Sequence, residues 1–558
     1  MSTRKPTAVD KMAERFFDDE AAMSPMMLTS LGSSKRQDEY DDLSPAGLAA
    51  HADLVAGTLE DLAAIEADDL VDAVTIAAMQ ERLGLALEAH EAHADLADVN
   101  NLASALLDLR EVYDLMPTET PQQWATIARR LQAIPGAAAG WFESQLAGVE
   151  AGVRPALRQV KALAEICHRY AGPDGFFAQL AAQAASDCPG LPAGVGEELE
   201  AGIEVARGAF AAAGARLLDE IAPLAVAADA VGPVRYELAS RGFLGTKADY
   251  AATYRWGLDE VARLEAAQAA VCARLRPGLS VAETKAALDA DPAYRIKGTD
   301  ALRAWMQDKA DQAIAALDGV HFDIPEPARN IECMIAKTHD GGIWYSDPSD
   351  DFSRPGRMWW SVPEGQTTFG TWRELTTVYH EGVPGHHLQC SIAIAHRDEL
   401  NAWRRHGIWV SGHGEGWALY AESLMAELGF LDDPATLLGQ LDSEQMRAVR
   451  VVIDMGLHCG FEAPAEVGGG EWTYDKAWQF FNAHVSADEG VARFEVMRYF
   501  GWPGQAASYK IGQRTWAQLR AAVRTAQGED FSLKAFHAKA LGLGSLGLDT
   551  LRDALLSA

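Results

Sequence analysis

Two histidines and two glutamates have the residue types and spacing of a hydrolytic metal site. In the stretch YHEGVPGHHLQ, His380 is followed directly by Glu381 and then by His386, and Glu415 comes later in GHGEGWALYAE. Two neutral imidazoles and one carboxylate leave a fourth coordination position of Zn²⁺ for water, whose pKa falls to about 7 on binding. Glu381, next to the first ligand, would act as general base toward that water. We therefore predict a zinc centre with the ligands His380, His386 and Glu415.

The spacing of the histidines differs from the usual H-E-x-x-H motif, in which both lie on one face of a helix. On a regular helix His386 would lie roughly 9 Å along the axis from His380 and about 240° around it. His387 would return to the same face but lie about 10 Å along the axis. The intervening GVPG can interrupt the helix, because proline has no N–H for the carbonyl of His380. We predict that two looped-out residues bring His386 to the metal; alternatively, the proline ends one helix and the two later histidines simply begin another.

The elements that must position these residues are helices. Residues 371–374 read TWRE, a T-x-x-E capping box, and the apolar residues behind it recur at helical spacing. His380 and Glu381 are therefore expected about two turns into a helix. Glu415 is expected to start a second helix, with Trp417 facing inward, that ends at Gly429.

Three motifs together, HEGVPGHHLQ, EGWALYAE and RYFGWPGQAASYKIG, resemble the bacterial DUF885 family of uncharacterised proteins, from about Asp38 to the end of the chain. Such proteins resemble helix-rich gluzincin peptidases, with a fold similar to that of the M32 carboxypeptidases. The resemblance implies a mainly α, zincin-like fold with a small β-sheet beside the active-site helix. M32 enzymes carry an uninterrupted H-E-x-x-H, so the two inserted residues leave both His386 and His387 open as the second ligand.

The resemblance also implies roles for the third motif. Gluzincins commonly stabilise the oxyanion of the tetrahedral intermediate with a tyrosine or histidine from a C-terminal segment, which makes Tyr509 the candidate here. Arg498 or Lys510 would bind a substrate carboxylate, and this would give carboxypeptidase or dipeptidase behaviour. Each of these residues can equally be a structural hydrogen-bonding group.

Other polar residues on the later helices have two interpretations each. Glu422 lies on nearly the same helix face as the predicted carboxylate ligand, either as acceptor for a ligand imidazole N–H or as an exposed charge. His413 is a rival metal ligand, although a loop histidine packed near the site is the favoured interpretation. Arg450 and Asp454 are expected to form an i, i+4 ion pair, and His458 is a weaker candidate for oxyanion binding.

The rest of the chain predicts two regions. Residues 41–277 are rich in Ala, Leu, Glu and Arg with apolar residues at helical spacing, which predicts antiparallel helices with turns at 117–121, 172–175, 189–196 and 232–233. After residue 317, β-branched and aromatic residues bounded by Pro, Gly and Asp predict two or three short strands before the motif helix. MWW at 358–360 or IWY at 343–345 is the candidate edge that would pair with an extended substrate. We divide the chain into a helical half covering the cleft, 1–317, and a catalytic half, 318–558.

Bulk composition restricts partners and location. The 558-residue chain has a formal net charge of −32 and a sequence pI near 4.8, which disfavours nucleic acid and anionic membranes as partners. No stretch approaches the ~18 uninterrupted apolar residues of a membrane span, and MSTRKPTAVDKMAERFFDDE lacks an apolar core. Six scattered cysteines without a C-x-x-C pair are typical of reduced thiols, so a cytoplasmic location is expected. A homodimer is left open.

These features favour a zinc-dependent metallopeptidase that hydrolyses short peptides and resembles a carboxypeptidase or dipeptidase. Two other classes share part of the pattern. A non-haem iron oxygenase would use the same two-histidine, one-carboxylate set for Fe(II), but Glu381 would have no role there. A non-catalytic helical binding protein with a vestigial metal site is the third class. Metal analysis separates the first two, and peptide hydrolysis separates the first from the third.

Overall fold

The computed structural model describes residues 4–336 and 342–556, and these are mainly helical, which confirms the mainly α prediction at that level. The N-terminal helices are α1 (Ala8–Met23), α2 (Pro25–Ser30), α3 (Pro45–Leu62), α4 (Leu70–Glu91), α5 (Ala105–Glu111), α6 (Pro121–Glu150), α7 (Leu157–Ala171), α8 (Phe176–Asp187), α9 (Ala193–Arg216), α10 (Pro233–Leu244), α11 (Tyr250–Leu275), α12 (Val281–Ala290) and α13 (Thr299–Leu317). The predicted turn 172–175 lies between helices, and the other three span a junction and extend into the first turn of the helix that follows.

The C-terminal helices follow a short β region. They are α14 (Thr371–Glu381), α15 (His386–Ala395), α16 (Ser411–Glu427), α17 (Pro434–Cys459), α18 (Tyr474–His484), α19 (Glu489–Gly501), α20 (Gln505–Gln527), α21 (Leu533–Gly542) and α22 (Leu548–Leu556). Within the described ranges, no helix is both long and apolar enough to cross a bilayer. All six cysteines are free thiols.

Among the residues that the structure describes, five short strands lie before α14, namely β1 (Arg295–Lys297), β2 (Ile331–Ile335), β3 (Ile343–Ser346), β4 (Gly356–Trp360) and β5 (Thr368–Gly370). Strand β4 is central in a three-stranded sheet, parallel to β2 and antiparallel to β3. Strands β1 and β5 form a separate antiparallel pair. The predicted strands are therefore present, but MWW at 358–360 was wrong as an edge, because β4 has a neighbour on both sides. IWY at 343–345 lies in β3, an edge strand of this sheet.

Three buried apolar clusters hold the helices together. One lies within α5 to α9 and contains Trp124 and Phe210. A second joins α10, α11 and α12 to α17, α18 and α19. The third joins α1, α3, α4 and α13 to the sheet, α14 and α16, with Trp417 at 0% exposure. Because two of these clusters combine residues from both sides of residue 317, the two sequence regions share their cores.

The start of α14 differs from the prediction. Gly370 is the N-cap, Thr371 is already the first helical residue, and no side chain caps the helix. The prediction that Thr371 and Glu374 form a capping box was therefore wrong. The reason is the strand before it: β5 runs through Gly370 and pairs with β1, and this pairing fixes where the helix begins. Helix α16, in contrast, runs to Glu427 with Gly429 just beyond it at φ 85°, close to the predicted end.

Candidate metal centre

The chain between the two motif histidines leaves the helix and returns to it. Helix α14 ends at Glu381 and α15 begins at His386, with a cis peptide bond between Val383 and Pro384 in the turn. The N–H of Gly385 donates to the carbonyl of Tyr379 at 3.0 Å, two residues further back than the partner in a continuous helix. The two interpretations of the sequence are therefore both partly correct: the helix breaks completely, yet two extra residues are accommodated and hydrogen bonding resumes.

Two contacts fix this turn. The indole N–H of Trp417 donates to the carbonyl of Pro384 at 2.8 Å and lies 3.3 Å from that of Gly385. A Cβ on Gly385 would lie 1.8 Å from the carbonyl oxygen of His380, far inside van der Waals contact. Only glycine therefore lets the turn close onto the end of α14, which sets the position of His386.

The closed turn places three candidate ligands around one point. The Nε2 atom of His380 lies 3.3 Å from Oε2 of Glu415, and Nε2 of His386 lies 3.5 Å from the same oxygen. One ligand atom from each of the three side chains lies within 4.8 Å of the others. The imidazole rings are nearly perpendicular, with centroids 4.9 Å apart. The Glu415 side chain is the most accessible of the three at 17% exposure, against 6% for His380 and 8% for His386.

This geometry fits a zinc ion. Bonds of about 2.0–2.2 Å at tetrahedral angles hold ligand atoms roughly 3.3–3.6 Å apart. The two measured nitrogen-to-oxygen separations, 3.3 and 3.5 Å, fall in that range. Two imidazole nitrogens and one carboxylate oxygen are also the ligand set of a catalytic zinc site, with the fourth position left for water or substrate.

The orientation of the first histidine is fixed by a carboxylate behind it. Glu422 accepts a hydrogen bond from Nδ1 of His380 at 2.8 Å and another from the hydroxyl of Thr376. The Glu422 side chain is only 2% exposed. This contact commits Nδ1–H to the carboxylate and leaves Nε2 directed at the cluster, the arrangement typical of an outer partner of a metal-bound histidine.

Burial and charge pairing set the protonation of the cluster. Burial favours neutral forms, but the hydrogen bonds of His380 with Glu415 and Glu422 outweigh it and raise the pKa of His380 to about 10. Burial alone would raise the pKa of the Glu415 carboxyl, but its hydrogen bonds with His380 and His386 hold that pKa well below its usual value. For Glu381 burial is the largest effect, and it raises the pKa of this carboxyl above the usual range. Glu381 is 6% exposed, and the charges of His380, His386 and Arg447 lower its pKa against this burial.

The neighbouring histidines have other partners. His387 is fully buried, with Nδ1 3.0 Å from the hydroxyl of Tyr345 and Nε2 2.8 Å from the carbonyl of Ala328, so neither nitrogen faces the cluster. His413 lies in the first turn of α16, not in a loop, and its Nδ1 contacts the side-chain amide of Gln389. His458 contacts the backbone carbonyl of Tyr499 and the backbone N–H of Val231. None of the three belongs to the candidate metal cluster.

The third motif is placed as follows. Tyr509 is partly buried on α20, and its hydroxyl lies 3.3 Å from a guanidinium nitrogen of Arg498. Lys510 is 3% exposed and forms ion pairs with Glu444 and with Glu260, the latter at 2.8 Å. Because this ammonium is already paired with two carboxylates, binding a substrate carboxylate would compete with those pairs, and the role of Lys510 in substrate binding stays a prediction.

The predicted ion pair on α17 was also wrong. Arg450 makes a two-point contact with Glu495 of α19, at 2.9 and 3.0 Å. Asp454 instead accepts hydrogen bonds from the hydroxyl of Tyr236 and the backbone N–H of Gly504. The i, i+4 spacing permitted the pair, but partners from distant segments satisfy both side chains.

Two residues near the cluster were missed by the sequence analysis. Trp409 is 52% exposed, and its ring centroid lies 5.7 Å from that of His386. No local pattern marks it, because an exposed tryptophan just before a helix is common. Arg447 on α17 is close enough to Glu381 to lower its pKa, against the effect of burial. Its helical spacing from Arg450 was visible in the sequence, but only the packing of α17 against α14 brings it to the site.

Comparison with known proteins places the chain in a group defined by sequence and fold. The family model described as "Bacterial protein of unknown function (DUF885)" matches residues 25–555. A protein from Colwellia psychrerythraea, provisionally described as a lipoprotein, has a crystal structure similar to this one, with a TM-score of 0.83, 23% identity and 98% of each chain covered. A second, from Shewanella oneidensis and of unknown function, matches with a TM-score of 0.72, 16% identity and 99% and 100% coverage. At these identities the likeness concerns the fold alone, and curated proteins give no match.

Proposed function

The chain belongs to the bacterial family DUF885, whose function is unknown, and we propose that this member is a zinc-dependent metallopeptidase that hydrolyses short peptides. The observation that carries the proposal is the cluster of His380, His386 and Glu415, in which both imidazole nitrogens lie 3.3–3.5 Å from one carboxylate oxygen. Within this proposal the fold corresponds to a zincin-like architecture similar to that of the M32 carboxypeptidases. The small sheet with β3 at its edge lies just before the site helix α14.

A bound Zn²⁺ would polarise the scissile carbonyl and lower the pKa of a water molecule to about 7. The protein's own part of the reaction falls to Glu381, which is buried beside both imidazoles and makes no ion pair among the described residues. Its carboxylate accepts a proton from the attacking water as the new C–O bond forms. It then returns that proton to the amide nitrogen as the C–N bond breaks, giving an amine and a carboxylic acid that keeps the second proton of the water.

Two further residues support this chemistry. Tyr509 is the proposed donor to the oxyanion, because its hydroxyl is held by Arg498 at the partly buried end of α20. Glu422 keeps the ring of His380 in one orientation throughout the reaction. An oxygenase would need no acid–base residue such as Glu381 in the same place, so the arrangement favours hydrolysis over iron chemistry.

The test begins with metal analysis of the purified protein, followed by hydrolysis of a library of dipeptides and tripeptides with and without a chelator. We expect about one zinc per chain, hydrolysis that stops on chelation, and recovery on addition of zinc. Glu381→Gln should keep its metal and lose about 10²-fold or more in turnover. Glu364→Gln, an exposed matched change before β5, should leave both unchanged. Absence of peptide hydrolysis by the zinc-loaded protein, or full activity in Glu381→Gln, would overturn the proposal.

A further inference from the structure

We propose that Trp409 is a specificity-determining residue beside the candidate metal cluster, and that its exposed indole ring binds an aromatic side chain of the substrate. This inference rests on the proposed peptidase function. It adds the substrate class, namely peptides with an aromatic residue next to the bond that is cleaved.

The first observation is that Trp409 is exposed although both of its neighbours in the chain are buried. Ile408 and Val410 have extended backbone angles and are 7% and 0% exposed, whereas Trp409 is 52% exposed. The backbone N–H of Val410 donates to the hydroxyl of Ser545 at 3.1 Å, which anchors the segment. Because successive side chains of an extended segment point in opposite directions, burial of the two neighbours directs the indole of Trp409 to the surface.

The second observation is that the indole packs on two parts of the candidate metal cluster. Its ring centroid lies 5.7 Å from that of the His386 imidazole, with an angle of 57° between the two planes. Its six-membered ring also packs on Gly414, the residue before Glu415. A Cβ on Gly414 would lie 2.3 Å from Cη2 and 2.5 Å from Cζ2 of Trp409, so glycine at this position lets the ring lie against the start of α16.

The third observation distinguishes Trp409 from other exposed aromatic residues. Among the described residues, the exposed large apolar side chains include three aromatic ones, Trp344, Trp409 and Phe494. In the part of the chain that the structure describes, Trp409 is the one of these three whose ring contacts a residue of the candidate metal cluster. Its contacts with the cluster cover only part of the indole. The remainder is apolar surface beside the candidate ligands, and its burial by a substrate is favourable.

An aromatic side chain is the group that this surface binds best. Pairs of aromatic rings, offset or edge to face, contribute more than their buried area alone. Trp409 is already held by its contacts with His386 and Gly414, so little conformational freedom is lost when a substrate packs on it. The metal cluster and Glu381 act on the peptide bond, which all peptides share. Trp409 therefore discriminates between side chains, and its place beside His386 selects the side chain next to the scissile bond.

The kinetic test compares kcat/KM of the zinc-loaded protein for L-phenylalanyl-L-alanine, L-alanyl-L-phenylalanine and L-alanyl-L-alanine. The first two place a phenyl ring on either side of the same bond. The wild-type protein should prefer one of them over the third by roughly 10- to 100-fold. Trp409→Ala should lose most of that preference by losing activity on the aromatic dipeptide alone, and Trp409→Phe should keep most of it. Phe494→Ala, which removes an aromatic ring that is 45% exposed on α19, should leave the preference unchanged.

A binding measurement separates this inference from the proposed function. L-Phenylalanine hydroxamate and L-alanine hydroxamate carry the same zinc-binding group and differ only by the phenyl ring. In calorimetry with the zinc-loaded protein, the phenylalanine compound should bind roughly 10-fold or more tightly than the alanine compound. Trp409→Ala should reduce that ratio to near one while its zinc content stays at the wild-type level. If this holds but no peptide is cleaved, the aromatic binding surface stands and the peptidase proposal fails.

Two results would overturn the inference while leaving the peptidase proposal intact. One is that the preference for the phenyl ring, in hydrolysis and in binding, is absent from the wild-type protein or survives in Trp409→Ala. The other is that Trp409→Ala loses its zinc or loses activity on all three dipeptides equally, because the ring then only supports His386. A wild-type protein that takes up no zinc would overturn both proposals.

Discussion

His386 and His387 are neighbours in the chain with different environments, and replacing each by alanine should separate metal binding from stability. The Nδ1 atom of His386 has no partner among the described residues, and its Nε2 faces Glu415. Its loss should cost the metal-free protein little. His387→Ala would leave the hydroxyl of Tyr345 and the carbonyl of Ala328 buried without their partner. Two unsatisfied groups at about 1–3 kcal/mol each predict a loss of about 2–6 kcal/mol in the free energy of unfolding.

The assay measures both quantities on the same preparations. Urea unfolding in the presence of a chelator gives the stability of the metal-free protein, and titration with zinc against a competing chelator gives the affinity. We expect the free energy of unfolding of His386→Ala to lie within about 1 kcal/mol of the wild-type value. Its zinc affinity should fall by more than the 10- to 100-fold that is typical when a residue hydrogen-bonded to a metal ligand is replaced. His387→Ala should show the reverse. If His387→Ala abolishes zinc binding while His386→Ala retains it, the ligand assignment is refuted.

Three further predictions concern the support of the site. Glu422→Gln removes the negative charge behind His380 and should weaken zinc binding roughly 10-fold, measured by competition titration. Gly385→Ala should abolish zinc binding because its Cβ would meet the His380 carbonyl oxygen, whereas Gly136→Ala in α6, with no atom within 4 Å, should be neutral or stabilising in urea unfolding. Burial raises the pKa of Glu374 to about 7 from its usual 4.5. The folded protein therefore binds this proton more tightly than the unfolded chain does, and it loses stability as pH rises from about 4.5 to about 7. The stability of Glu374→Gln relative to wild type should increase over that pH window and stay constant above it.

Features carried by local sequence were predictable. Helical periodicity gave the helices before residue 277, and clusters of β-branched and aromatic residues gave β2, β3 and β4. The candidate cluster also followed from residue types, because the spacing of His380 and His386 makes sense only if the turn between them closes. That inference needed only the properties of the glycines and the proline.

Features that depend on distant partners were not predictable. The capping box at 371–374 failed because β1, far back in the chain, pairs with β5 and sets the start of α14. Lys510 looked like a free cation because Glu260 and Glu444 reach it only through packing of separate helices. The effect of Arg447 on the pKa of Glu381 was hidden for the same reason, since the two residues lie on different helices. Sequence spacing fixes which residues share a helix face, but long-range packing decides whether a charged group is paired.

The break between α14 and α15 explains why α16 makes several of the contacts that hold the two histidines in place. In an uninterrupted H-E-x-x-H helix, the backbone alone holds the two histidines on one face. Here a second element must hold them, and α16 does so at three points. Glu415 faces both imidazoles, Trp417 binds the carbonyls of the turn, and Glu422 orients His380. The register of α16 is fixed in turn by α20, because a Cβ on Gly416 would lie 2.5 Å from the backbone of Gly512. The geometry of the candidate metal cluster therefore depends on that glycine contact.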